Sequence, residues 1–470
     1  MMTNEIHELK VRAKGPDSQN IEAQLERLTW HAAVLRIFDT NAVIRVSQVF
    51  EELTVEANGV AIYSGKAVVG SVIDTGASLV CSVKLTEGGF RSLDPSLETT
   101  VRGVTADFQV FLKDWEKYYR ILPEFKIIVA DMQMFLQDLQ RWLDQLELAG
   151  KRFPSVGQPA DESLLLLSDE VTQAFTALHE RFEEVGAFVP PELKAAHAHY
   201  TQRQLHPLTL CSPFAHRTYH KPLGYAGDYE MVNMMLRSPF EGNTLYAKML
   251  NAWFVKQWPA EAHRNRITYL VDRLEEEGLR GARRKRPIRV LNLGCGPAHE
   301  IVKFFAESNL CEHVELTLWD FNDETIVRTG QSLEDCKRRF SRNTKVTMTK
   351  KSVHQVLKES GRSNSSFKGQ FDYIYCAGLF DYLTNRTCKQ LVDTFYDWLA
   401  PDGLLAVTNV VDFRPFRHML EHLLDWNLIY RAAVDAPSLM PDRAAPEYCR
   451  ALSDVTGVNL FVEARKPAHD

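Results

Sequence analysis

The chain has 470 residues, a quarter of them charged, and a formal net charge of −6, so it has room for roughly two or three domains, each able to bury a core. Near-balanced charge excludes a polycationic nucleic-acid or membrane-surface binder; the one basic run, 280–289, reads as a solvated linker or as a dock for an acidic carrier. The eight cysteines stand singly, with no metal-ligand spacing, no apolar run approaches a membrane span, and the N-terminus has no charged-then-apolar leader pattern, so a metal-free cytoplasmic protein is expected.

Residues 1–28 are polar, with a short helical pattern around 21–28. From Trp30 the texture changes to short runs rich in β-branched residues at 32–38, 42–46, 60–63, 67–73 and 78–85. Turn signals separate them at Asp39-Thr40-Asn41, Asn58-Gly59, Ser64-Gly65 and Asp74-Thr75-Gly76. A small antiparallel barrel or sandwich over about 30–100 is predicted, within a first domain of 1–104. The segment resembles the PilZ-type barrel, a module that often senses cyclic dinucleotides. It departs from that pattern where the ligand is held: no paired-arginine loop precedes the barrel, and Asp74-Thr75-Gly76-Ala77-Ser78 stands in place of Asp-x-Ser-x-x-Gly. Guanidinium groups bind such a ligand's phosphates and stack on its bases, so a scaffold or assembly role is expected ahead of messenger sensing.

Residues 105–189 read as a helical hairpin. Ile128, Met132, Phe135, Leu139, Trp142, Leu143 and Leu146 recur at three- and four-residue steps, and 164–167 with Val171, Phe175, Leu178 and Phe182 form a second stripe. The turn falls at 150–159, which carries Gly, Pro and Ser. Such a hairpin must bury its apolar face on another domain or on a second copy, and a homodimer through it is expected. Pro190-Pro191 opens a third region, 190–284, with an unusual cluster: His216-Arg217-Thr218-Tyr219-His220-Lys221-Pro222-Leu223-Gly224-Tyr225-Ala226-Gly227-Asp228-Tyr229, then Ala262-His263-Arg264-Asn265-Arg266. Either Arg264 and Arg266 pair with acidic neighbours such as Asp228 or Glu230, or the region is a helical cap that excludes water from a site and supplies its polar groups.

The fourth region, 285–470, contains the most informative stretch. Residues 288–300 read as a buried strand, a tight turn at Gly294 and Gly296, and the start of an amphipathic helix, which together make a nucleotide cradle. A second apolar run, 314–318, ends in Trp319-Asp320, roughly 20 residues on, where a carboxylate can accept both ribose hydroxyls. To this point a nicotinamide cofactor fits equally well. Apolar runs at 371–376 and 404–411, a helical period at 391–399 and a turn at Pro401-Asp402-Gly403 complete the set. That ordered set, with Leu399-Ala400-Pro401-Asp402-Gly403 as "L-x-P-x-G", resembles the class I S-adenosylmethionine (SAM) methyltransferases over about 285–467, which implies an α/β, Rossmann-like sheet. Two positions depart. Asn292 stands at the usual acidic position two before the first glycine and brings no charge to offset the methionine ammonium, and Ala298 replaces the third glycine.

Taken together, 221–229, 262–266, Leu293-Gly294-Cys295-Gly296-Pro297-Ala298-His299-Glu300, Ala377-Gly378-Leu379-Phe380-Asp381-Tyr382 and Thr456-Gly457-Val458-Asn459 are similar to bacterial methyltransferases that make methyl esters of 3-hydroxy fatty acids. In that family the products, methyl 3-hydroxypalmitate or its myristate counterpart, are extracellular quorum signals. The resemblance implies a SAM-dependent carboxyl O-methyltransferase acting on a 3-hydroxyacyl substrate, free or carrier-bound. The alternatives are a SAM enzyme of another natural-product pathway and a regulator that senses SAM or a second messenger. Gly294, Cys295 and Gly296 are expected at the methionine end, Asp320 on the ribose, Phe321 on the adenine, Ser352 and Val353 at the adenine edge, and Ala377 and Gly378 at the sulfur end. An acyl carboxylate, with a pKa near that of a Glu side chain, is already an anion at pH 7, so the reaction asks for positioning and not for a base or metal. Tyr225, Arg266, His220 and Tyr382 are the candidates to orient it; Asp381 is a poorer one, because a second anion repels the first. The apolar residues of 412–430, among them Phe413, Phe416, Leu420, Trp426 and Leu428, either line an acyl tunnel or pack as rim core.

Overall fold

Alternation of inward and outward side chains, and not the helical spacing read around 21–28, governs the first strands of the chain. The computed structural model describes residues 9–468 apart from 17–18, 30, 40–41, 58–59, 91–107, 110–111, 114–115, 117–119, 150–161, 361–366 and 413–414. Strands β1 (Leu9–Lys14), β2 (Asn20–Leu28), β3 (Ala32–Ile37), β4 (Val49–Ala57), β5 (Val60–Asp74) and β6 (Leu79–Phe90) close into an antiparallel barrel in the order β1-β2-β3-β6-β5-β4. Val11, Leu35, Phe50, Leu53, Val55, Val69, Cys81 and Val83 fill its interior.

Three expectations are corrected here. The segment 21–28 is strand: a bulge between Leu25 and Arg27 shifts the phase, so that Ile21, Leu25 and Leu28 all turn inward and mimic helical spacing. Ser64-Gly65 is no turn but the middle of β5, where the two strands run so close that a Cβ on Gly88 would stand 2.6 Å from the Gly65 Cα. The run 42–46 does not pair at all. It belongs to a buried, irregular strap, 42–48, that leaves the barrel between β3 and β4. Asn58-Gly59, and Thr40-Asn41 of the turn before the strap, lie outside the described residues, as does Trp30.

The helical hairpin is formed by Pro123–Leu148 and Glu162–Gly186; its 150–159 turn lies outside the described residues. Phe125, Ile128, Met132 and Leu143 on one helix, and Leu164, Val171, Phe175 and Phe182 on the other, share one core with the helix Leu245–Lys256 and with 416–426. The hairpin's inner face is therefore buried within this chain. Trp142, expected in that stripe, is 48% exposed. Helices Lys194–Thr209, Pro213–His220, Tyr229–Leu236, Leu245–Lys256 and Trp258–Arg284 make up the cap.

Beyond the cap lies the expected Rossmann-like sheet, of seven strands: β7 (Ile288–Leu293), β8 (Val314–Asp320), β9 (Lys345–Lys350), β10 (Phe371–Cys376), β11 (Leu399–Val410), β12 (Cys449–Ser453) and β13 (Asn459–Arg465), in the order β12-β13-β11-β10-β7-β8-β9. β7 to β11 run parallel, and β13 lies antiparallel between β11 and β12. Pro401-Asp402-Gly403, expected as a turn ahead of a strand, is instead an irregularity inside β11: the partner register jumps from Phe371–Leu399 to Tyr373–Leu404, and Asp402 takes φ 62°. Chain order reverses between β7 and β10, which opens a crevice at their C-terminal ends. None of the described helices is long and apolar enough to cross a membrane.

Candidate active site

A large cavity lies over that crevice, lined by the β7 turn, the tips of β8 and β10, the cap and residues between 410 and 430. Its β8 side is built from residues close together in sequence. Gly294 and Gly296 take positive φ, and the Gly294 and Cys295 amides donate to the Trp319 carbonyl at 2.8 and 3.1 Å. Asp320 then holds the turn by its side chain, accepting the Gly296 amide at 3.1 Å and the Asn322 amide at 3.0 Å. Burial pushes its carboxyl up, while those amides and Arg45 pull it back toward the anion. Ala298, in place of the third glycine, begins the helix His299–Glu307 at φ 51°, a left-handed conformation that costs a non-glycine residue about 1–2 kcal/mol.

Phe321 continues this wall. Tyr225 from the cap meets it edge-on, ring centroids 4.9 Å apart, and the Arg45 guanidinium lies 4.1 Å over its face. Ser352 and Val353 complete the edge. A SAM molecule fits this half. A Cβ on Gly296 would meet nothing within 4 Å, so the turn is open to the cavity, and Asn292 Oδ1 is buried with no hydrogen-bond partner.

The β10 side draws on distant segments. Arg266, from the long helix Trp258–Arg284, is buried against Gly378, whose missing side chain makes room for it: a Cβ there would stand 2.9 Å from Arg266 Nη2. Nη2 lies 2.7 Å from His263 Nδ1, and burial together with the Arg266 charge holds His263 well below the usual imidazole range, as a neutral acceptor. Asp381 is the carboxylate that most favours the Arg266 charge, and it accepts the Val410 amide at 2.6 Å. Tyr382 reaches across so closely that a Cβ on Gly227 would sit 2.6 Å from its hydroxyl, which accepts from Trp426 Nε1 at 3.0 Å. Burial keeps Tyr225 and Tyr382 as neutral phenols.

The structure thus brings Tyr225, Arg266 and Tyr382 to one cavity with Gly294, Cys295, Gly296, Asp320, Phe321, Ser352, Val353, Ala377 and Gly378. His220 does not join them. It ends the helix Pro213–His220 on the exposed side, stacked 4.1 Å from His216, because the left-handed Lys221 turns the chain inward only after it. Arg264 and Arg266 do not pair with the acids weighed as their partners: Asp228 pairs with Arg217, Glu230 with Arg237, and Arg264 with Glu261. Of the rim segment, Phe416, Leu420, Trp426 and Leu428 line the cavity beside Met231 and Met235, while Met419, Leu423 and Leu424 pack into the helical core and Phe413 lies outside the described residues. Sequence reasoning missed the contribution of the barrel strap, Val43, Arg45 and Val46, and that of His263, Glu300 and Tyr375. An arginine inside the apolar run 42–46 was the available signal for the first. No group of described residues has the makings of a metal site.

Residues 291–405 match the family model of a methyltransferase domain. Among solved structures, one described as a possible exported protein from Bordetella parapertussis is 15% identical, covers 64% of this chain and 97% of its own, and has a TM-score of 0.39. Magnesium protoporphyrin IX methyltransferase from Synechocystis, solved with bound SAM, is 11% identical over 50% of this chain and 90% of its own, at a TM-score of 0.33. No curated protein sequence matches the chain.

Proposed function

We propose that this SAM-dependent methyltransferase esterifies the carboxylate of a medium-to-long 3-hydroxy acid, giving a methyl ester used as a diffusible signal. Bound SAM supplies a methyl carbon on a sulfonium, and its displacement by a carboxylate oxygen breaks the carbon–sulfur bond and leaves S-adenosylhomocysteine (SAH). The observation that carries the reading is Arg266: a buried guanidinium pressed on Gly378, facing a chamber of neutral phenols and apolar side chains. Such a group can hold a carboxylate by charge-assisted hydrogen bonds while its surroundings exclude water. Holding the nucleophile in attacking geometry can supply about 7–11 kcal/mol, enough to leave no role for a general base. Met231, Met235, Leu420 and Leu428 offer the aliphatic tail an apolar wall. The free acid is the acceptor, because a carrier thioester has no anionic oxygen with which to attack.

Purified protein incubated with SAM and 3-hydroxy acids of increasing chain length should yield methyl ester and SAH in equal amounts. SAH without ester, or transfer to an amine or a ring carbon, would remove the proposal. The homodimer is proposed on the hairpin's outer face, where Ile127, Met134, Trp142, Leu165 and Leu166 are each at least 45% exposed. A monomeric mass in solution would remove that part.

A further inference from the structure

The departure at Asn292 leaves a question of charge. The cofactor's methionine end carries an ammonium group, and the strand residue two before the first glycine of the turn is an uncharged amide. Its Nδ2 donates to Glu300 Oε1 at 3.3 Å, and its Oδ1 is buried with no hydrogen-bond partner. Glu300 lies in the first turn of the helix His299–Glu307, is only 6% exposed, and lines the cavity. Tyr375 fixes it from the other side, donating to Oε1 at 2.7 Å. Asn292 and Tyr375 are paired residues on β7 and β10, the two strands between which chain order reverses. The carboxylate therefore bridges the crevice, on the side away from Asp320.

We infer that Glu300, held by Asn292 and Tyr375, is the counter-ion of the cofactor's ammonium, and that Asn292 Oδ1 accepts a second hydrogen bond from the same group. The acid usual on the strand has moved onto the following helix, and the amide left behind serves to orient it. Burial disfavours a carboxylate there; the Tyr375 hydrogen bond, the residue's own backbone amide and, least, the charge of Arg266 offset that only in part. An arriving cation meets that need. The inference rests on the cofactor and not on the identity of the acyl acceptor.

The test is calorimetric binding of two ligands to the full chain: SAH, which carries the ammonium, and 5′-methylthioadenosine, which keeps the adenosine and sulfur but lacks the amino-acid end. Glu300→Gln should weaken SAH about 10–100-fold, as expected for losing a charged hydrogen-bond partner, and change methylthioadenosine less than about threefold. Adding Asn292→Asp to that variant should recover most of the SAH affinity by returning the charge to the strand. Equal loss of both ligands would make Glu300 a structural residue. Unchanged SAH affinity, or no recovery in the double variant, would likewise overturn the inference.

Discussion

The two walls of the cavity are made by different means. On the β8 side, a glycine turn, a strand-end carboxylate and the next aromatic residue form a wall whose parts lie within 30 residues of one another, from Asn292 to Phe321. On the β10 side, Arg266 and His263 come from the cap, Trp426 from the rim and Val43 and Val46 from the barrel, with Gly227 and Gly378 cut away to admit Tyr382 and Arg266. In the function proposed above, the first wall grips the cofactor through the backbone, and the second, assembled by tertiary packing, defines the acceptor.

The sharpest separation of the walls comes from Arg266→Met. It removes the guanidinium proposed to hold the acid's carboxylate, and truncating one partner of a buried charged hydrogen bond costs about 2–5 kcal/mol. The expected outcome is a fall in kcat/KM for the acid of about 10²–10³-fold or more, with SAH affinity within about threefold. Arg266→Lys should recover little, since a point charge does not replace a planar fork. Asp320→Ala addresses the other wall and should weaken SAH about 10–100-fold, with a smaller change in turnover at saturating SAM. Arg45→Ala asks whether the barrel belongs to the first wall. Losing a buried cation over Phe321 should raise KM for SAM several-fold, near the 1–2 kcal/mol typical of such contacts, without unfolding a barrel whose core excludes Arg45.

The smallest expected effect is that of pH. Burial raises the carboxyls of both Asp320 and Glu300, so protons bind them at a higher pH than they bind an exposed acid. As pH falls through those raised values the anions are lost, and SAH affinity should decline on acidification, beginning at a higher pH than exposed carboxylates would give. Glu300→Gln should flatten part of that decline, because it removes one of the two titrating groups.

The same contrast governs how much was legible beforehand. The cradle at 288–300, the carboxylate at Asp320 and the strands around them are local patterns, and β7, β8 and β10 form where expected. The other half depends on which distant segments meet. His220 shares its motif with Tyr225, yet it stays exposed at the end of its helix while Tyr225, beyond the left-handed Lys221, lines the cavity. Arg45 sits in a run that looks like an ordinary strand, and only the exit of 42–48 from the barrel reveals where it goes. The bulge after Leu25 hides a strand behind helical spacing, since a phase shift of one residue changes which side chains share a face.

The most direct measurement is a crystal structure of the protein with SAH and a 3-hydroxy acid bound. The account predicts the ribose on Asp320, the sulfur beside Gly378, and the acid's carboxylate on Arg266 with its tail along Met231, Met235 and Leu420. An acid bound away from Arg266, or a sulfur atom facing the barrel strap and not the Arg266 chamber, would contradict it.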